Sequence, residues 1–147
     1  MTRVSSNQFA AIEQPEVSGN LVGEYWGVLQ PPTSYPKSAS VSYNASTRDE
    51  AVDRLVERYG DCLQEIDPID KLNLLAILST WQALDTMGQN DPEEYETCTM
   101  TEAAGAHPVE ISDALEEVLT DLENISDEAA FHLMVAISNQ LVAEQKA

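Results

Sequence analysis

The sequence predicts an all-α fold, a small four- or five-helix bundle built from two helical hairpins and preceded by an extended N-terminal arm. Three observations carry that prediction. Beyond residue 46 the apolar residues recur at helical spacing, each periodic stretch follows a capping residue, and residues 63–79 are echoed without a gap by residues 122–138. With 147 residues, 43% of them apolar, the chain is sized for one domain with a real core. Its organisation reads as an extended or disordered arm over 1–46 and an acidic helical bundle over 47–147.

The arm comes first. Its stretch GEYWGVLQPPTSYP, residues 23–36, has three prolines and two glycines, which disfavour a helix. Aromatic residues on such a segment cannot bury themselves locally, but they supply large contact area with few rotors to freeze on binding. Tyr25, Trp26, Leu29 and Tyr35 are therefore the candidate partner-binding residues. The competing use of Trp26 and Leu29 is to cover the bundle's own groove.

The first helix opens at TRDE, with Thr47 and Glu50 spaced for a capping box, and Val52, Leu55, Val56, Tyr59 and Leu63 form its stripe. The second opens at Asp67, with Pro68 at its first position and Asp70 in its first turn. In it Leu72, Leu75, Leu78 and Ala83 compete for burial with Leu74, Ile77, Trp81, Leu84 and Met87, so this helix is apolar on most sides and belongs at the centre. Gly88 reads as its C-cap. A short helix follows Asp91 and Pro92 and ends by Gly105 and Pro108. The stripe Ile111, Leu115, Val118, Leu119 and Leu122 predicts a further helix with acidic outer faces. Ser126 caps the last helix, whose core side is Ala130, Leu133, Met134, Ile137 and Leu141.

The net charge of −19 is unevenly placed: residues 1–47 sum to −1, and no Lys or Arg occurs between Lys71 and Lys146. Such a field repels phosphate backbones and anionic lipid, which excludes nucleic acid and predicts a protein partner with a basic surface. No apolar run, that of residues 74–78 included, comes near the roughly 20 residues that span a bilayer, so membrane insertion is not expected. Cys62 and Cys98, 36 residues apart, form no disulfide framework and suit a reduced, cytoplasmic setting. His107 and His132 have no metal-ligand spacing with the cysteines or each other, and no nucleophile elbow, phosphate loop or dinucleotide fingerprint is present. The expectation is a non-enzyme without metal or cofactor.

The run IDPIDKLNLLAILSTWQALDTMG, in which an acidic residue, a lysine and Leu open a hydrophobic helix ending in Met-Gly, resembles the helical N-terminal domain of the cyanobacterial orange carotenoid proteins. SDALEEVLTDLENISDEAAFHLMVAIS is similar to a later helix pair of that domain, and the resemblance spans residues 62–140. It implies a helical fold and a cyanobacterial, photosynthetic setting. Two functions from different classes follow. One is a non-catalytic interaction protein, an assembly, linker or regulatory subunit that docks on a larger complex through its aromatic arm and acidic bundle. The alternative is a carotenoid carrier whose cavity would be lined by Leu72, Leu75, Trp81, Met87 and Met134.

Overall fold

The computed structural model describes residues 32, 34–45 and 48–146; Tyr25, Trp26, Leu29 and Thr47 lie outside the described residues. Among the described residues all regular structure is helical. A 3-10 turn at Lys37–Ala39 precedes α1 (Val41–Asn44), α2 (Glu50–Tyr59), α3 (Pro68–Asn90), α4 (Met100–Ala106), α5 (Asp113–Asp121) and α6 (Asp127–Lys146).

Helix α2 begins two residues later than the TRDE pattern suggests. Its cap is Asp49, whose Oδ1 accepts the Ala51 and Val52 amides. The other carboxylate oxygen accepts the Ser126 amide at 3.1 Å, so one side chain pins the starts of α2 and α6 together. Ala51, Val52 and Leu55 are buried. The helix stops at Gly60, whose φ of 93° is readily available only to glycine. Leu63 therefore lies beyond the helix, in the tight turn to α3, with φ of 50° and complete burial.

Asp67 and Pro68 start α3 as the sequence predicts, the Asp67 carboxylate accepting the Ile69 amide at 2.8 Å. Gly88 is not its C-cap: α3 continues to Asn90 and Asp91 is the capping residue. The glycine is needed for a different reason. A Cβ there would lie 2.7 Å from the Glu96 carbonyl oxygen, so the linker to α4 crosses α3 at this point only because no side chain intervenes. The predicted start at Asp91 and Pro92 is likewise corrected, because α4 begins at Met100 behind a complete Thr99–Glu102 capping box. Gly105 lies within α4, which ends ahead of Pro108. Ser112 caps α5, and Ser126 caps α6 through the Ala129 amide.

The two hairpins pack across one another. Helix α3 lies along α6, α2 packs on α5, and α4 flanks α3 on its other side. Lys71 meets Glu144 and Gln82 meets Asp127, so α3 and α6 run antiparallel. The sequence echo is an echo of burial. Leu63 and Leu122, Ile66 and Ile125, Leu74 and Leu133, Ile77 and Ala136, and Leu78 and Ile137 all fall in the core. Each helix end turns on a buried Leu and a buried Ile before a new cap restarts it. At one equivalent pair the burial is kept but the chemistry differs, with Lys71 buried where the other hairpin buries Ala130.

The stretch read as the C-terminal part of the arm folds against α6 where it is described. Ala39 and Val41 are buried, and Gln140 Nε2 donates to the Ala39 carbonyl at 2.9 Å and Asn139 Nδ2 to the Ser38 carbonyl at 2.8 Å. Asp61 fastens the same segment from the other side. Its carboxylate accepts the Ser40 hydroxyl, the Ser42 hydroxyl at 2.6 Å and the Ser42 amide at 3.0 Å. Polar Ser-rich composition, which argues against a self-sufficient core, is here the chemistry of a clasp on a core made elsewhere.

Candidate functional site

Two surfaces of opposite character and one buried polar cluster stand out. The first surface is a groove of about 320 Å³ between α4 and α5. Met100, Ala104, Ile111 and Leu119 form its apolar floor, and Glu116 and Glu123 stand on its rim with Thr101 and Thr120. Its walls are held from α3. Trp81 Nε1 donates to the Cys98 carbonyl at 2.9 Å, fixing the chain just before α4. The His107 ring meets Asn73 Oδ1 at 2.9 Å, and the Ser112 hydroxyl donates to Asp70 at 2.9 Å, fixing the link from α4 to α5. The groove lies within residues 85–128, which hold fourteen acidic residues and no Lys or Arg. By contrast Arg54 and Arg58 are engaged at the end of α5, with the Asp121 carbonyl at 3.0 Å and its carboxylate at 2.8 Å.

The second surface is the outer side of the α3/α6 pair. Residues 72–84 and 129–143 contain no Asp, Glu, Lys or Arg at all, in a chain of net charge −19. The inner residues of both helices are core, yet Ile69, Leu72 and Met87 of α3 and Phe131, Val135 and Val142 of α6 are exposed. An ordinary surface helix sets a charged face against solvent, and neither of these does.

The buried cluster sits where α3 meets the end of α6. Lys71 Nζ is paired with Glu144 and donates to the Cys62 carbonyl at 3.2 Å; both charged side chains are almost wholly buried. The Tyr35 hydroxyl donates to the same Glu144 oxygen at 2.8 Å, and Lys71 Nζ lies 5.6 Å from the centre of its ring. Burial pushes the Lys71 ammonium down, against the hydrogen bond and charge of Glu144. Burial, then the bond and charge of Glu144, push the Tyr35 phenol up. The remaining oxygens, Gln140 Oε1 and Glu144 Oε1, are buried without a hydrogen-bond partner among the described residues.

Of the four arm residues singled out in the sequence, Tyr35 is thus placed in this cluster, and Tyr25, Trp26 and Leu29 fall outside the described residues. The five residues that would line a carrier cavity are spread over different environments. Trp81 is buried in the core, Leu75 and Met134 are half-buried, and Leu72 and Met87 face outward. Sequence reasoning missed Lys71, Gln140 and Glu144 as interior groups. The signal is present in the spacing: Lys71 shares a face with Leu74 and Leu78, and Gln140 and Glu144 share one with Leu133 and Ile137.

No family model, curated protein or solved structure matches this chain. Among the described residues no helix is long and apolar enough to cross a membrane, and no group of three or more His, Cys, Asp or Glu side chains is placed to hold a metal ion. Cys62 and Cys98 are unpaired and half-buried, and burial pushes both thiols up, away from the reactive thiolate.

Proposed function

We propose that this protein is a non-catalytic interaction protein that docks on a basic protein surface, as an assembly, linker or regulatory subunit of a larger complex. The observation that carries the reading is the α4/α5 groove, an apolar floor bounded by Glu116 and Glu123 within an acid-only part of the chain. Its chemistry suits a segment with a bulky apolar side chain flanked by Lys or Arg. The apolar anchor supplies affinity, and the carboxylates speed encounter and reject acidic competitors. In this reading Tyr25, Trp26 and Leu29 add a second point of attachment on the same partner, and the setting is cytoplasmic.

The test uses a synthetic amphipathic helical peptide of alternating Leu and Lys faces, with binding followed by fluorescence anisotropy. Binding should weaken between low salt and about 0.15 M, where the screening length falls to ~8 Å. It should also weaken in Glu116→Lys and Glu123→Lys, and in Leu119→Ser. The same charge reversals at Glu50 and Glu65, which are exposed elsewhere, should have a smaller effect. Equal losses from all four reversals would reduce the attraction to net charge alone and reject the groove as the site.

A further inference from the structure

The α3/α6 face needs an occupant different from the one the groove takes. We propose that it binds a second copy of this chain, forming a two-fold symmetric dimer in which two antiparallel helix pairs stack into a four-helix layer. This goes beyond the reading of the groove and does not depend on it.

Charge decides between occupants. A basic partner finds no carboxylate along residues 72–84 and 129–143, and the nearest exposed ones on α6, Asp127 and Glu128, stand only in its first turn. A second copy of a −19 chain is repelled by the rest of the surface, and this uncharged face is where it can approach at least cost. The face is also built to match itself. At an offset of 59 residues α3 presents Leu72, Ala76 and Ala83 where α6 presents Phe131, Val135 and Val142, so the smaller side chains of α3 in one copy can face the larger ones of α6 in the other. Two-fold contacts require such self-complementarity, because the same patch serves on both sides.

Size sets the strength. The stripes run side by side for about 17 Å over a width of two helices, a patch on the order of 400 Å². Stable complexes bury about 800 Å² per partner, so the dimer is concentration-dependent. Residual repulsion between the acidic flanks makes added salt strengthen it, the reverse of the effect on a basic partner.

Sedimentation equilibrium of the full chain, from low to high micromolar, reads this directly. The expected result is a reversible monomer–dimer equilibrium that tightens with salt. Val135→Glu and Leu72→Glu should each weaken it by at least about a hundredfold, since either places an unpaired charge in the interface twice. Their melting temperatures, measured where the chain is monomeric, should be unchanged. A chain that stays monomeric at every concentration overturns the proposal. If Val135→Glu then lowers the melting temperature, the chain's own residues cover the face; if it does not, the face is bare. A dimer indifferent to both substitutions also overturns it, by placing the interface elsewhere. Failure here leaves the peptide measurement on the groove untouched, because that signal weakens with salt.

Discussion

Helices α4 and α5 and the helix pair α3/α6 are amphipathic in opposite senses. On the α4/α5 side the residues facing solvent are carboxylates and the apolar surface is sunk into a groove. On the α3/α6 side residues 72–84 and 129–143 present no charge, and the Lys71–Glu144 pair lies inside. The difference teaches that net charge is a poor guide to what a surface does. The same total of −19 covers one side edged by carboxylates and another with long stretches that carry no charge at all.

The sharpest way to break the comparison is to put charge on each face of α3. Leu74→Asp buries an unpaired carboxylate at a position with no solvent exposure, at a cost of several kcal/mol against a total stability of roughly 5–15. It should abolish cooperative thermal unfolding. Leu72→Asp, two residues away and on the outer face, should shift monomer stability by no more than about 0.5 kcal/mol. Similar melting curves for the two variants would mean that the faces are misassigned. Next in size is the buried pair. Lys71→Ala leaves Glu144 charged and uncompensated, which costs about 3–5 kcal/mol, whereas Lys71→Met with Glu144→Leu should recover most of the loss. Chemical denaturation of the single and double variants checks this, and additive losses would show that the two side chains do not act as a pair.

Much of the architecture was legible in local chemistry. The caps at Asp67 and Ser126, the helical class and the centrality of α3 follow from propensity and spacing, which a sequence displays directly. The departures come from tertiary contacts that it does not display. Gly88 has the residue type of a C-cap but serves a crossing of two backbone segments. Asp49 outcompetes the earlier capping-box pattern because it also satisfies an amide of α6. Leu75 and Leu74 are both apolar, and packing of the other helices around α3 leaves one half-buried and the other fully so. The groove was legible only as its acidic surroundings. Its floor joins Met100 to Leu119, residues on different helices that no periodicity links.

The join between the two sides gives a smaller effect. Gly88→Ala forces a Cβ against the backbone at Glu96 and Thr97, where no flexible side chain can yield, and should cost about 1–3 kcal/mol. Because the displaced linker leads into α4, peptide binding in the groove should fall as well, while self-association through α3/α6 should not. Loss of both would mean that the two surfaces are mechanically one.

The last prediction separates carboxylates that hold the fold from those that only face solvent. Asp61 belongs to the first kind. Burial raises its carboxyl, but the hydrogen bonds from Ser40 and Ser42 together outweigh burial and hold it below its ordinary value of 3.8. The unfolded chain therefore takes up the proton first as pH falls. The stability contributed by Asp61 is present above that range and is lost as pH drops through the lowered native value. Asp61→Asn removes acceptors for the serine clasp and should cost about 1 kcal/mol near neutral pH. The difference between variant and parent, measured by urea unfolding, should shrink steadily below about pH 4. Glu116→Gln and Glu123→Gln, on the groove rim, should leave the same profile unchanged. A difference that persists in acid would show that Asp61 acts through shape and not through its charge, and a profile altered by the rim substitutions would place carboxylates of the α4/α5 side among those that hold the fold.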